Sequence, residues 1–168
     1  ETQLWREASL ATAIDVLLGR VGSRMLDVLD AELLAVRFVD RDHHLDTVAA
    51  IRRGAVGVTR PLKPRSELSA PAAARIATWI QSGTTERARS APQLARDLLR
   101  GLADPTDGEW WFVPLAASLD ALGALVVSAG ARLDARRLAS ISEPIAAVLA
   151  TEQARRELTR LREAAEAD

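Results

Sequence analysis

The last third of the chain constrains the fold more than any other part. Two apolar, β-rich stretches, residues 112–115 and 122–127, are followed by one long helical pattern that ends in the charged run 155–163. A helix of that length extends beyond any core this chain could cover. The pattern predicts a compact sheet that feeds a protruding terminal helix, an arrangement suited to passing a conformational change along the chain.

Composition is typical of a single globular domain with a sizeable core. The chain has 168 residues, is 48% hydrophobic, and balances 22 basic against 23 acidic residues for a net charge of −1. This balance leaves no broad basic face, so we expect no direct nucleic-acid binding by this segment. The absence of cysteine excludes disulfides, thiol nucleophiles, thiolate metal sites and thioether-attached chromophores. We predict neither a cofactor nor a metal.

The sequence shows neither a membrane-spanning segment nor a targeting signal. No apolar run approaches the ~20 residues that span a bilayer, and no signal peptide is evident, so we expect a cytoplasmic protein without membrane contact. Because the chain opens at Glu1 without a methionine and closes within a helical pattern at Asp168, we expect it to be a piece of a larger protein.

The first half of the chain predicts helices, a hairpin and a capped short helix. A short leading helix begins at Leu4 and Trp5, before a longer amphipathic helix whose apolar residues are spaced by three and four: Leu10, Ile14, Leu17, Leu18, Val21, Met25, Val28 and Leu29. Gly19 and Gly22 weaken that helix or allow another helix to approach. Strands over 34–39 and 45–53 flank a polar turn. Residues 60–65 form a loop, and a helix over 72–81 runs from the cap Ser69 to Gly83.

The second half predicts another hairpin and the terminal helix. Residues 86–89 suggest a short strand and Pro92 opens a helix to about Leu99, after which 110–116 and 119–129 pair as a hairpin. Asp134 caps the last helix and Pro144 should kink it. Its core-facing residues are Leu138, Ile141, Ile145, Val148 and Leu149.

This order of elements predicts an α+β fold. We expect a central antiparallel sheet of about five or six strands, with the N- and C-terminal helices on one face and short helices and loops forming a cavity on the other. The whole chain, 1–168, is one domain, divided into N-terminal helices (1–30), a sheet and cavity region (33–129) and a C-terminal signalling helix (134–168).

The scaffold motifs resemble those of GAF domains, a small-molecule sensory fold. The residues that carry the likeness are Val113-Pro114-Leu115, Leu122-Gly123-Ala124-Leu125, and Ile145, Ala146, Val148, Leu149 and Glu152. Residues 4–9, 67–69, 156–158 and 161–168 further resemble the N-terminal sensory GAF domains of sigma-54-dependent (AAA+) transcriptional activators. That likeness implies a downstream ATPase domain as partner in the parent chain. Bilin attachment, methionine-sulfoxide reduction and iron-based nitric-oxide sensing in this class use cysteine, and the Asn-Lys-Phe-Asp-Glu signature of cyclic-nucleotide binders is absent.

Five residues are candidates for ligand binding. Trp79, Trp110 and Trp111 could form an aromatic wall, although core packing is the plainer reading. We expect the rings of Trp110 and Trp111 to point to opposite faces of the sheet. Arg37 and Arg89 interrupt apolar or alternating strand patterns, and an arginine aimed at the cavity would bind an anion such as a carboxylate. A solvent-facing or sheet-edge arginine is the alternative.

Catalysis has little support in the sequence. His43 and His44 are the only imidazoles and lie in a turn with Asp40, Asp42 and Asp46. Such clusters are usually solvated turn residues, and no catalytic residue is assigned. A small hydrolase or isomerase that uses one of these histidines is the weakest hypothesis.

The end of the terminal helix predicts a dimer. Ala154, Leu158, Leu161 and Ala165 follow the four-three-four spacing of a two-helix seam. We therefore expect a homodimer through the terminal helices. The leading hypothesis is a non-catalytic regulatory domain that binds an unidentified small molecule, or relays a conformational cue, and controls an AAA+ transcription-activator module. A ligand-free dimerisation scaffold is the alternative.

Overall fold

The structure is a computed structural model that describes residues 2–39, 43–54, 65–104, 106, 108–118, 121–128 and 133–167. The helices are α1 (Thr2–Leu29), α2 (Ala70–Ser82), α3 (Pro92–Leu99) and α4 (Ala135–Ala167). The strands are β1 (Leu33–Val39), β2 (His44–Arg52), β3 (Arg65–Glu67), β4 (Glu86–Arg87), β5 (Trp110–Ser118) and β6 (Ala121–Ser128). None of the described helices combines the length and apolarity that a bilayer crossing requires.

The strands form one sheet of order β3-β2-β1-β6-β5-β4, and every neighbouring pair is antiparallel. Two hairpins, β1–β2 and β5–β6, are joined at the centre by pairing of Leu34 with Val127 and of Val36 with Leu125. The predicted α+β class and antiparallel sheet are confirmed.

The long terminal helices α1 and α4 cover one face, here called the long-helix face. Its core is apolar and includes Ile14 and Leu18 of α1, Leu34 of β1, and Ile141 and Ile145 of α4. Alternate strand residues point to this side, as the two-residue period of a strand requires. The predicted position of the terminal helices is confirmed.

Gly22 sets how closely α1 approaches the sheet. A Cβ atom at this position would lie 2.5 Å from Cδ1 of Ile51 on β2. The glycine therefore makes room for a strand side chain, and the expectation that it admits another helix is wrong.

The short helices α2 and α3 cover the opposite, short-helix face. Their core contains Ile76 and Trp79 of α2, Leu98 of α3, and Phe112 and Val126 of the sheet. Side chains of the protein itself pack the middle of this face, and the cleft described below lies at its edge.

Local capping explains several helix ends. The Ser69 hydroxyl accepts a hydrogen bond from the Ala72 amide at 3.2 Å, and Gly83 ends α2 with φ of 68°. The Asp134 carboxylate accepts from the Arg137 amide at 2.8 Å at the start of α4. These predicted boundaries are confirmed.

Four predicted details are wrong. Residues 2–29 form one continuous helix without a separate leading helix, and Val28 is exposed, because it lies off the buried stripe. Residues 65–67 form a strand, where a loop was predicted to residue 65, because they pair with β2. The strand predicted over 86–89 ends at Arg87, so Arg89 lies in a turn. The predicted kink at Pro144 stays a prediction, since α4 is one helix with this proline inside it. Residues 40–42 of the predicted turn and 60–64 of the predicted loop lie outside the described residues.

Candidate functional site

A cleft of about 510 Å³ opens at the β4 edge of the short-helix face. It lies between β4, the beginning of α3 and the segment that leads into β5. We call it the edge cleft, and its lining residues are Arg87, Ala88, Arg89, Pro92, Ala95, Arg96, Thr106, Gly108, Glu109 and Trp110.

Backbone pairing assembles one wall of the edge cleft. Arg87 pairs with Trp111 across β4 and β5, and the Ala88 amide donates to the Trp110 carbonyl at 3.0 Å. The chain then turns, with the Ser90 and Ala91 amides both bonded to the Arg87 carbonyl. This turn carries Arg89 over the opening and delivers the chain to the first residue of α3.

One carboxylate lies between two arginines of the cleft. Glu109 accepts from Arg87 at 2.8 Å and forms an ion pair with Arg89 at 2.6 Å. The Arg87 guanidinium also stacks 4.7 Å from the ring centre of Trp111, a cation–π contact that fixes its position. Arg89 is 78% exposed, so its ion pair is screened by water.

The third arginine, Arg96, approaches from α3. Its side chain is exposed, lines the cleft, and forms no ion pair or hydrogen bond with another described residue. The edge cleft therefore offers one guanidinium that a ligand can engage without breaking an ion pair among the described residues.

The rim of the cleft includes a local turn around Thr106. Both the amide and the hydroxyl of Thr106 donate to Asp104, at 2.9 and 2.7 Å. The amide bond, and then the hydroxyl bond, lower the pKa of the Asp104 carboxyl. Both bonds reach the Oδ1 atom of Asp104, and the lowered pKa keeps this carboxylate ionised at neutral pH.

The tryptophans occupy three different environments. Trp110 is 5% exposed and forms the inner wall of the edge cleft, whereas Trp111 packs against the core of the long-helix face. The predicted opposite orientation of these rings is confirmed. Trp79 is buried in the short-helix core, where its indole donates to the Thr84 carbonyl at 2.7 Å, and it does not line the cleft.

Arg37 lies away from the edge cleft, fully buried under α3. Its Nη1 atom donates to the carbonyls of Leu98 and Arg100, each at 2.7 Å. These are carbonyls of the last turn of α3, where a cation also complements the helix dipole. The solvent-facing alternative is therefore wrong, and an anion-binding role of Arg37 stays a prediction.

A second contact fixes α3. Arg75 of α2 donates to both carboxylate oxygens of Asp97, at 3.0 and 3.2 Å, and the Asp97 side chain is buried. The hydrogen bond and then the negative charge of Asp97 raise the pKa of Arg75. The helix that presents Arg96 to the cleft is thus tied to both α2 and β1.

The terminal helix leaves the core after Val148. Every described side chain from residue 150 to residue 167 is exposed. Leu158 and Leu161 of the predicted seam are 52% and 56% exposed, with Ala154 and Ala165 exposed alongside them. Arg160 forms an ion pair with Glu157, three residues earlier on the same helix, at 2.6 Å.

The histidine cluster is not assembled into a site within the described residues. His43 is exposed with φ of 60°, and His44 begins β2. Asp40 and Asp42 lie outside the described residues. Among the residues the structure describes, no group of three potential metal ligands comes together.

The sequence analysis selected Arg89 and Trp110, which both line the cleft, but it missed Arg87, Arg96 and Glu109. Arg87 could have been selected, because it lies two residues before Arg89 in the same predicted strand. Arg96 and Glu109 carried no local signal, because only the packing of α3 beside β5 brings them to one cleft.

Comparisons with known proteins identify the fold. No protein-family model matches the chain, and no curated protein matches its sequence. The GAF domain of PixJ from Thermosynechococcus elongatus, in its blue-light-absorbing form, aligns over 99% of this chain and 96% of its own, with a TM-score of 0.60 and 15% identity. A segment of a methyl-accepting chemotaxis protein aligns over 94% and 99%, with a TM-score of 0.54 and 17% identity. The GAF region of a Geobacter sulfurreducens protein aligns over 90% and 97%, with a TM-score of 0.51 and 18% identity. The chain has the fold of GAF domains.

Proposed function

We propose that this chain is a non-catalytic sensory domain that binds a small molecule in the edge cleft and passes the change to α4. In the parent protein, α4 would control a C-terminal AAA+ transcription-activator module in the cytoplasm. The segment itself would bind no nucleic acid. The sensory domains with similar folds and the sequence resemblance to sigma-54-dependent activators support this proposal.

One observation carries the link between ligand and output. Trp110 and Trp111 are adjacent on β5, and the first lines the edge cleft while the second packs into the core that α4 completes. Because interiors are close-packed, a shift of β5 at the cleft changes the surface on which α4 rests. The proposed signal therefore crosses the sheet through the thickness of one strand.

The proposed output surface is the seam of Ala154, Leu158, Leu161 and Ala165, which a second copy of the chain would cover. Two half-exposed leucines at a three-residue spacing form the apolar stripe of a two-helix coil. A short helix with one seam is marginal alone, so its pairing can respond to a small change in the domain.

A ligand-free dimerisation scaffold remains the second candidate, and a specific observation favours it. Trp79, Phe112 and Leu98 are buried in the middle of the short-helix face, the face on which a cavity was expected. A scaffold of this kind would dimerise through α4 without a ligand in the edge cleft.

Native mass spectrometry and thermal-shift screening against cell metabolites separate the two candidates. The sensory proposal predicts a binder whose effect on the monomer–dimer equilibrium is lost in Trp111→Leu while binding persists. A dimer that forms equally with and without every metabolite, together with no binder, would support the scaffold and contradict the sensor.

The dimer is tested by analytical ultracentrifugation of the double variant Leu158→Ser, Leu161→Ser. Loss of the seam should shift the protein to monomer. Ala164→Ser, an exposed change on the same helix outside the seam, is the matched control and should leave the equilibrium unchanged. Equal behaviour of both variants would remove the seam from the proposal.

A further inference from the structure

We infer that the edge cleft takes a small organic anion, one that carries a carboxylate or a phosphate on an apolar body. This inference rests on the proposed function, since it names the ligand class of the same cleft. Arg96 is the primary anion ligand, Arg89 is the supporting one, and Glu109 is an internal competitor.

Charge is the first argument. The described residues that line the cleft include three arginines and a single carboxylate, that of Glu109. That carboxylate is shared between Arg87 and Arg89 at 2.8 and 2.6 Å, while Arg96 has no partner among the described residues. Guanidinium groups bind carboxylates and phosphates with two parallel hydrogen bonds, so the excess of arginine favours such anions.

The remaining lining explains why the anion should be organic. Trp110, Ala88, Pro92 and Ala95 form an apolar wall beside Arg89 and Arg96. The cleft volume of about 510 Å³ exceeds what a bare inorganic ion fills and lies within the usual range of small-molecule sites. A ligand with an apolar body can bury that body on Trp110 while its charged group reaches Arg96.

Preorganisation adds to the selectivity. Arg87, which stacks on Trp111 and binds Glu109 at 2.8 Å, keeps that carboxylate in a fixed position when an anion takes Arg89. Pro92, the first residue of α3, also lines the cleft, and Ala91 before it makes no side-chain cap. The positive end of the α3 dipole therefore reinforces the arginines.

Substitution of Glu109 should change anion affinity in the opposite direction to substitution of Arg96. An incoming anion meets the repulsion of this carboxylate and competes with it for Arg89. Glu109→Gln should therefore strengthen anion binding, whereas Arg96→Gln should weaken it. Binding governed by shape alone would not separate the two variants in this way.

The test is a titration of the 168-residue chain, followed by ¹H–¹⁵N chemical shifts, with three probes that share one ring. Benzoate carries a carboxylate, phenyl phosphate carries a phosphate, and benzamide is the neutral counterpart. The expected result is at least tenfold tighter binding of one or both anions than of benzamide, with shifts at Ala88, Ala95 and the Trp110 indole. The stronger of the two anions identifies the charged group.

The variants complete the experiment. Arg96→Gln should weaken anion binding about tenfold and Glu109→Gln should strengthen it several-fold. Arg24→Gln, which removes the same charge from an exposed position on α1, should change affinity by less than twofold. Circular dichroism confirms that each variant is folded. Equal losses in Arg96→Gln and Arg24→Gln would overturn the inference, because they would indicate unspecific attraction.

Failure of this inference differs from failure of the proposed function. Binding of benzamide as tightly as benzoate and phenyl phosphate, or no binding of either anion, would overturn the anion class. A neutral metabolite that occupies the cleft and shifts the α4 equilibrium would overturn the class and keep the sensory role. An anion that binds with the expected variant pattern and leaves α4 unchanged would support the class and contradict the sensory role.

Discussion

The two faces of the sheet are built from different chemistry. The core of the long-helix face contains only apolar side chains among the described residues. The three described residues that are both buried and polar or charged, Arg37, Thr47 and Asp97, belong to the short-helix side. One face thus provides uniform packing for the output helix, while the other holds polar groups in fixed positions next to the cleft.

The helix ends contribute to this difference. The last turn of α1 finds its donor in Arg53, a partly exposed residue after β2 that donates to the Leu26 carbonyl at 3.1 Å, and α4 continues past its last buried residues. The eight-residue α3 ends over the sheet, and its last carbonyls must find donors there. Arg37 supplies them from β1, which explains a buried arginine in the middle of an otherwise apolar strand.

The largest expected effect is on the long-helix face. Leu34→Ala removes a fully buried side chain from the apolar core, and we expect it to lower the free energy of unfolding by about 2–5 kcal/mol. Urea unfolding measures this loss. Val28→Ala, an exposed apolar truncation on α1, is the control and should change stability by about 0.5 kcal/mol or less. Similar effects of both variants would contradict the packing described for this face.

The second-largest effect on stability is expected from a substitution on the short-helix face. Arg37→Met removes the donor to Leu98 and Arg100, and the lost charged hydrogen bonds should lower the free energy of unfolding by about 2–3 kcal/mol. Amide hydrogen exchange should rise most in α3. Arg100→Met, whose guanidinium is exposed, should have a smaller effect. Buried charges can also be replaced without loss, so an unchanged or raised stability would show that Arg37 does not hold α3.

A smaller loss is expected from the contact between α2 and α3. Arg75→Gln removes the ion pair with Asp97, and the loss of stability should be less than that of Arg37→Met because the arginine is half exposed. Because the pKa of Arg75 is raised, its guanidinium keeps its charge to pH values above the ordinary arginine pKa. Its contribution is therefore fully present around neutral pH, and thermal unfolding at pH 6 and pH 8 should show the same difference from wild type. A difference that changes between these pH values would contradict this assignment.

The smallest effect concerns the rim of the cleft. Thr106→Ala removes one donor to Asp104, so the lowered pKa of that carboxyl should rise toward its usual value, as NMR titration would record. Because folding lowers the pKa of Asp104, its ionised carboxylate stabilises the folded state at pH values above the usual carboxyl pKa. This contribution is lost as the pH falls through the pKa that Asp104 has in the folded protein. An unchanged Asp104 titration in the variant would exclude the hydroxyl bond as a cause.

Local signals made most of the fold predictable. Ser69 and Gly83 mark the ends of α2, and the apolar spacing of Leu138, Ile141 and Ile145 marks the buried side of α4. The strand β3 was not predictable, since its three residues have no apolar alternation and become a strand only by pairing with β2.

The candidate site was harder to predict from the sequence than the fold. Arg89 and Trp110 were selected for their residue types, but Arg96 looks like any exposed helical arginine until α3 is placed beside β5. Arg37 was selected as an anion ligand because of its position in an apolar strand. Its observed partners are carbonyls more than 60 positions away, a distance that no local pattern reveals.

Hydrogen exchange of the whole chain, with and without the tighter of benzoate and phenyl phosphate, tests most directly whether the short-helix face receives the ligand and the long-helix face gives the output. The account predicts slower exchange in β4, α3 and the start of β5, together with changed exchange in α4 that Trp111→Leu abolishes. Protection confined to α1 or to the turn before β2, or protection at the cleft with α4 unchanged, would contradict it.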